Sequence, residues 1–364
     1  MSELPRADLD LVRGLVAIPS LSGQERAASE WLAERMRERG FDARVDEVGN
    51  AVGRIGDGPV HVVLLGHIDT VPGEIPVRIE AGELVGRGAV DAKGPLAAFV
   101  SAASAIVPGV RVTVVGAVEE ESPTSAGARH FARHPAPDWC VIGEPSGWDA
   151  ITVGYKGRLV ADVSLERPAR HGAAAGLTVS EEALGVWQRI ADSARKHARA
   201  RAFDSLDCRL EGMWTDSDGL AERARLRVGY RIPSGLDAAR VAVDLRTAAV
   251  ANSERTSVAV TPLASEEPAR TGRTSTLASA FARSIAEAGG TASFLHKSGT
   301  SDMNVLAPAW GCPMVAYGPG DSAYDHTPIE RLRLEDHARA IAVLAGVLRR
   351  AASIRLLEAA GRGG

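Results

Sequence analysis

Short apolar runs that alternate with helical patterns constrain this 364-residue chain more than any other feature of its sequence. The run Val60–Leu65 is almost wholly apolar, which is typical of a strand covered on both faces. Ala92–Val107 has the pattern of a helix, and Val110–Val118 is again a strand. Strands that alternate with helices predict an α/β fold with a mostly parallel sheet flanked by helices.

The middle of the chain has a different pattern. Between residues 155 and 263, strand patterns such as Gly157–Leu165 surround a helix pattern at Ser180–Ala198, and the helix–strand alternation resumes afterwards. A chain of this length exceeds the usual single hydrophobic core. We therefore predict one catalytic domain in two parts, 1–154 and 264–364, which is split by an inserted α+β domain over 155–263.

The bulk composition excludes several classes of protein. A formal net charge of −4 gives no general attraction to nucleic acid or to a membrane. No apolar run is long enough to span a bilayer, and the first 21 residues lack the apolar stretch of a signal peptide. The three cysteines have no CxxC spacing, so neither a zinc knuckle nor a disulfide framework is expected. We expect a cytoplasmic protein.

Potential metal ligands follow the predicted strands. His67, Glu121 and Glu144 each come shortly after a separate apolar strand. In a parallel sheet, ligand sites gather beyond the carboxyl ends of the strands. Two more candidates are Asp91, in Gly-Ala-Val-Asp-Ala-Lys-Gly, and His326, in Asp-His-Thr-Pro. Two imidazoles and three carboxylates suffice for two metal ions that share one carboxylate and leave a position for water.

Each phrase also has a structural explanation. Asp91 could cap the helix that follows it, and the triplet Glu119–Glu121 could be a solvated acidic turn. In the functional interpretation, one carboxylate of the triplet binds metal and its neighbour is the general base toward water. Asp69 could hold the second ring nitrogen of His67. Mixed imidazole and carboxylate ligands favour zinc, cobalt or manganese.

Taken in order, these phrases resemble those of the co-catalytic zinc aminoacylase and carboxypeptidase family, which includes acetylornithine deacetylase and succinyl-diaminopimelate desuccinylase. The resemblance covers nearly the whole chain. It implies that Asp91 bridges two divalent metal ions, with zinc as the first expectation and cobalt or manganese as alternatives. It also implies that His67 and Glu144 bind one ion, and that Glu121 and His326 bind the other.

The same resemblance implies further catalytic roles. Glu120 would be the general base, and Asp69 would be the partner of His67. The inserted segment would be a lid that also forms a homodimer. Its His171 would polarise the scissile carbonyl in the partner's active site, although Gly172 follows it where relatives often have serine.

Substrate-binding residues are implied as well. Arg231 matches an arginine that holds the substrate carboxylate in relatives, whereas the residue type alone is equally typical of a surface arginine at a strand end. Gly299, Thr300 and Ser301 match the family's substrate loop.

The phrases Gly143–Asp149, Tyr155–Gly157 and Gly299–Asn304 resemble the branch that releases lysine or ornithine from an amino-group carrier protein. This resemblance implies a metal-dependent amidohydrolase of amino-acid biosynthesis, which acts on the carrier-linked or the N-acetylated basic amino acid. The alternatives are a dipeptidase or carboxypeptidase, another N-acyl-amino-acid deacylase, and a catalytically silent binding protein. The basic stretch 189–201 is either a docking surface for an acidic carrier or a solvated helix face.

Overall fold

The computed structural model describes residues 4–171, 175–251 and 256–352. The sequence pattern also predicts a final helix over Leu334–Glu358, and its end lies outside these residues, as do Gly172 and the tail Gly361–Gly364. The chain divides into two compact units. The first contains Met1–Gly154, Thr271–His296 and Ser301–Gly364, and the second contains Tyr155–Arg270 and Lys297–Thr300.

Helices are present over most of the two predicted segments, Ala92–Val107 and Ser180–Ala198. Helices form where apolar residues recur at helical spacing, as in the helix Arg26–Glu38, where Ala28, Leu32 and Met36 are buried on one face. The helices are α1 (Arg6–Val16), α2 (Arg26–Glu38), α3 (Lys93–Ala103), α4 (Ala126–Phe131), α5 (Val179–Arg195), α6 (Ala238–Val250), α7 (Thr276–Glu287), α8 (Asp302–Trp310) and α9 (Leu334–Ala351). Of these, α4 was not predicted.

The strands form three separate sheets. Their bounds are β1 (Asp42–Val45), β2 (Ala51–Ile55), β3 (Val60–His67), β4 (Arg78–Glu80), β5 (Glu83–Val85), β6 (Val110–Ala117), β7 (Trp139–Gly143), β8 (Ala150–Tyr155), β9 (Gly157–Pro168), β10 (Asp207–Ser217), β11 (Ala221–Ile232), β12 (Ser257–Glu266), β13 (Ala269–Arg270), β14 (Ser293–Lys297), β15 (Met314–Ala316) and β16 (Arg331–Arg333).

The main sheet of the first unit has the strand order β1-β2-β6-β3-β7-β15-β8. Its four central strands, β6, β3, β7 and β15, are parallel, and the flanking strands β2 and β8 are antiparallel to their neighbours. Side chains of α1, α2, α3, α7 and α9 contribute to the core that covers this sheet. The prediction of a mostly parallel sheet flanked by helices is confirmed.

A small antiparallel sheet, β16-β5-β4, also belongs to the first unit, and the sequence patterns did not predict it. Its hairpin turns at Ala81 and Gly82, which both have positive φ, as a two-residue hairpin loop requires. The third strand, β16, comes from a distant part of the chain and pairs Arg331 with Val85.

The second unit contains an antiparallel sheet of order β10-β11-β9-β12. Alternate residues of β9 and β11 pack with α5 and α6 in a separate core. The side chain of Thr178 caps α5 and accepts the backbone N–H of Glu181. The other face of this sheet carries charged residues. The predicted segment 155–263 falls within this unit, which extends beyond it because β12 continues to Glu266.

Within the parts of the chain that the structure describes, no helix combines the length and the apolar character needed to cross a membrane.

Candidate metal-dependent active site

The register of the main sheet brings several predicted ligands to one edge. His67, the last residue of β3, pairs with Ala117, the last residue of β6. On the other side of β3, Gly66 pairs with Gly143, the last residue of β7. The segments that follow β6 and β7 carry Glu120–Glu121 and Glu144, so these acids come from neighbouring strand ends, as expected for a parallel sheet.

Asp91 lies between the two candidate histidines. Its Oδ1 is 3.1 Å from His67 Nε2, and its Oδ2 is 3.0 Å from His326 Nε2. Glu121 Oε1 is 2.8 Å from the same His326 nitrogen. Each oxygen of Asp91 therefore faces a different imidazole, which is the arrangement that a carboxylate shared by two ions requires.

Two groups of side chains could each hold an ion, because their ligand atoms lie within 4.8 Å of one another. One group is His67, Glu120 and Glu121, and the other is Asp91, Glu121 and His326. Glu144, the remaining predicted ligand, is buried at the end of β7, and its charge contributes to the raised pKa of Glu120. Among the residues described, it belongs to neither close group.

The electrostatics of the cluster favour cations. Burial opposes a charge on His67, but its bonds to Asp69 and Asp91 raise its pKa well above the usual value. Bonds to Asp91 and Glu121 raise the pKa of His326 to about 10. The clustered carboxylates therefore stabilise positive charge at this position. These residues fit divalent metal ions of the kind bound by imidazole and carboxylate.

Asp69 organises the backbone next to the ligands. Its side chain is fully buried and accepts the backbone N–H groups of Glu120 at 3.1 Å and Glu121 at 3.0 Å. Ser22 donates its hydroxyl to the same carboxylate at 2.7 Å. His67 Nδ1 is 3.0 Å from the carbonyl oxygen of Asp69 and 3.4 Å from Oδ1. Asp69 therefore connects the histidine to the acidic turn.

The three glutamates of the acidic turn have different surroundings. Glu119 has a positive φ of 60° and accepts a hydrogen bond from Thr124. The side chains of Glu120 and Glu121 lie in the ligand groups. Burial, followed by the charges of nearby acids, raises the pKa of Glu120 well above its usual value. A strained backbone next to a carboxyl group with a perturbed pKa is common at functional sites.

Glu330 is a buried residue of this region that sequence reasoning missed. Its carboxylate accepts the backbone N–H of Asp91 at 3.1 Å and pairs with Arg87 at 2.8 Å. The available signals were the nearby phrase Asp-His-Thr-Pro and the Ala-Gly turn of the β4–β5 hairpin. The turn predicts a hairpin but does not identify β16 as its third strand.

The other predicted site residues are described in their own units. His171 follows β9 in the second unit and is exposed. Arg231, near the end of β11, is half-buried, and burial followed by repulsion from Arg158 lowers its pKa. Gly299 and Thr300 belong to the second unit. Ser301, in the first unit, is buried and caps α8.

The chain is similar to known proteins over most of its length. The family described as peptidase family M20/M25/M40 matches residues 63–350. A protein of Deinococcus radiodurans named [LysW]-lysine hydrolase is 46% identical over 357 residues, which cover 95% of this chain and 97% of that protein. A protein of Thermococcus kodakarensis named putative [LysW]-lysine/[LysW]-ornithine hydrolase is 39% identical and covers 93% of this chain and 91% of its own length.

Solved structures show the same fold at low sequence identity. Aminopeptidase PepT from Bacillus cereus superposes with a TM-score of 0.79 at 17% identity, and the match covers 96% of this chain and 99% of that one. The α/β fold with its mostly parallel sheet is therefore shared with a solved peptidase structure.

Proposed function

Because this chain belongs to peptidase family M20/M25/M40, a metal-dependent hydrolase family, we propose that it releases lysine or ornithine from an amino-group carrier protein. The bond cleaved is the amide on the α-amino group of the basic amino acid. The observation that supports hydrolysis is the position of Asp91 between His67 and His326, with Glu120 in the ligand group of His67. The proposed identity of the substrate is supported by the similarity to proteins named [LysW]-lysine hydrolase and [LysW]-lysine/[LysW]-ornithine hydrolase.

The site would hold two divalent ions, with zinc as the first expectation and cobalt or manganese as alternatives. His67 and Glu144 would bind one ion, Glu121 and His326 the other, and Asp91 both. When bound, such ions polarise the scissile carbonyl and make water acidic enough to lose a proton near neutral pH.

Glu120 would be the general base. Its carboxylate would take the proton from the attacking water and return it to the leaving amine. A raised proton affinity suits both steps, because a general base works best with a pKa near the operating pH. Asp69 would hold Glu120 through the backbone N–H bond and would fix the ring of His67.

The remaining roles come from the resemblance to the family. We propose that His171 polarises the scissile carbonyl in the partner's site of a homodimer that the second unit forms. Arg231 would hold the substrate carboxylate, which suits the planar donor pattern of a guanidinium. Gly299, Thr300 and Ser301 would contact the substrate. The oligomeric state, measured by light scattering after size exclusion, tests the dimer.

A substrate panel tests the function. Purified protein, loaded with zinc or cobalt, is offered carrier-linked lysine, carrier-linked ornithine, N-acetyl-lysine, N-acetylornithine and dipeptides. We expect a carrier-linked substrate to have the highest kcat/KM and chelation to abolish turnover. Fastest cleavage of the dipeptides would favour a peptidase instead. Absence of turnover in fully metal-loaded protein would favour a binding protein of this fold.

A further inference from the structure

We propose that Arg87 and Glu330 form a positioning pair that fixes the loop of Asp91 against the loop of His326. The pair would set the separation of these two ligands and thereby the affinity for the ion that they share, a conclusion that depends on the metal site proposed above. Neither residue is itself a ligand.

The small sheet places Glu330 beside the Asp91 loop. Because Arg331 pairs with Val85, the preceding residue, Glu330, lies opposite Gly86. The backbone N–H of Gly86 donates to the Glu330 carbonyl at 3.3 Å, which extends the pairing by one step. The pairing register of β16 with β5 therefore determines the position of the Glu330 backbone relative to the Asp91 loop.

The carboxylate of Glu330 holds the Asp91 loop through hydrogen bonds from the loop's backbone N–H groups. Oε1 accepts the N–H groups of Val90 at 2.9 Å and Asp91 at 3.1 Å, and Oε2 accepts from Arg87 Nη1 at 2.8 Å. The Glu330 side chain is only 1% exposed. A buried carboxylate that accepts three hydrogen bonds is well satisfied. Removal of the Glu330 carboxylate would leave the backbone N–H groups of Val90 and Asp91 without this acceptor.

Arg87 extends the same connection to the His326 loop. Its Nη1 also donates to the carbonyl oxygen of Thr327, the residue after His326, at 3.1 Å. Its Nε donates to the Gly73 carbonyl at 3.0 Å. The guanidinium therefore joins three loops at once, which its fork of fixed donors allows and a single ammonium group does not.

The His326 loop needs such support because His326 itself has a positive φ of 59°, a conformation that non-glycine residues adopt at a cost. The conformation of the His326 loop determines the distance of 3.0 Å between His326 Nε2 and Asp91 Oδ2. His67, by contrast, is held by Asp69, which Ser22 bonds in turn, as well as by Asp91. Loss of the pair should thus affect the two ions unequally.

Metal titration tests the proposal without any measurement of hydrolysis. Metal-free wild type and Glu330→Gln are titrated with Co²⁺ against a competing chelator, and the absorption spectrum of the bound ion is followed. We expect Glu330→Gln to weaken the ion bound by Asp91 and His326 by about 10–100-fold, as is usual when a residue that orients ligands is lost, and to weaken the other ion, which also uses Asp91, much less. Arg87→Gln should show the same asymmetry to a smaller extent, because the carboxylate keeps its two backbone donors.

Glu83→Gln is the matched control, since Glu83 lies on the same small sheet and pairs with Arg331 at 3.6 Å, away from the ligand loops. Equal weakening of both ions in Glu330→Gln, or a lower melting temperature with both affinities intact, would overturn the proposal. The proposal would also be overturned if the wild type bound only one ion and Glu330→Gln bound that ion with the same affinity. A protein that binds metal with this asymmetry but cleaves no lysine amide would contradict the proposed function alone.

Discussion

Acidic side chains crowd together at one edge of the first unit, whereas the second unit distributes its charges in pairs over an open sheet face. At the edge, the side chains of Asp91 and Glu121 are only 10% and 11% exposed and share one imidazole. On the open face, Arg227 of β11 donates to both carboxylate oxygens of Asp162, its neighbour on β9, at 2.9 and 3.1 Å. Matched pairs need no further partner, but crowded like charges require a cation.

Arg231 is the exception on the open face. It is opposite Arg158 on β9, so two guanidiniums are cross-strand neighbours. Like charges in this position are destabilising. Arg231 Nη1 is buried and has no hydrogen-bond partner among the described residues. Arg223 of the same strand and face, in contrast, pairs with Glu166 and Asp218. The surroundings of Arg231 therefore differ from those of Arg223, and the proposed role in binding a substrate carboxylate is consistent with this difference.

The largest effect is expected at the acidic edge. Glu120→Gln should lower kcat by about 10²–10⁴-fold, because the amide cannot take a proton from water. The variant should keep its bound metal, since His67 and Glu121 remain. The measurements are steady-state kinetics on carrier-linked lysine and metal content by mass spectrometry.

Glu119→Gln is the control for this prediction, because Glu119 bonds with Thr124 instead of facing the ligand groups. It should retain most of the activity. If Glu120→Gln kept its rate and Glu119→Gln lost it, the roles within the acidic turn would have to be exchanged.

The next largest effect concerns a histidine that, in the part of the chain described, has no acid within hydrogen-bond distance. His337 on α9 is fully buried, neither ring nitrogen has a hydrogen-bond partner in the described chain, and burial lowers its pKa to about 4. The folded state excludes the proton that the unfolded state binds below the ordinary pKa of 6.5. This residue should therefore cost the protein stability as pH falls from 6.5 toward 4, by about 3 kcal/mol in total.

His337→Leu removes this dependence. The free energies of unfolding of metal-free wild type and variant, measured by urea denaturation across this pH range, should converge or cross in favour of the variant at acidic pH. The same pH slope in both proteins would show that His337 does not titrate as its burial implies. The opposite directions of His326 and His337 illustrate how an acidic neighbour reverses the effect of burial.

The candidate ligands at the ends of the parallel strands could be predicted from the sequence, because each is marked by its neighbours in the chain. Three of the five candidate ligands, His67, Glu121 and Glu144, lie at the end of an apolar strand or shortly after it, and parallel strands bring their ends together. Glu330 was not predictable in this way, since its place depends on β16 pairing with a hairpin more than 200 residues away in the chain. Those strands are only three residues long, with alternating charges and too few apolar positions to stand out.

A smaller effect is expected on the open face, at Arg231. Arg231→Gln should raise KM for the carboxylate-bearing substrate by about 10–100-fold, the usual worth of a hydrogen bond to a charged group, with kcat less affected. Its melting temperature should not fall, because the substitution relieves repulsion from Arg158. A variant with normal KM and a lower melting temperature would make Arg231 a structural residue.

The smallest effect should come from Arg227→Gln, which changes the same residue type on the same strand and face but breaks a matched pair. Exposed ion pairs contribute little to stability, so the melting temperature should fall slightly, and KM and kcat should stay at the wild-type values. Asp162→Asn and the double variant complete a cycle, in which the pair should show a small favourable coupling. A rise in KM for Arg227→Gln as large as that for Arg231→Gln would remove the distinction between matched and unmatched charges, because both arginines would then serve the ligand.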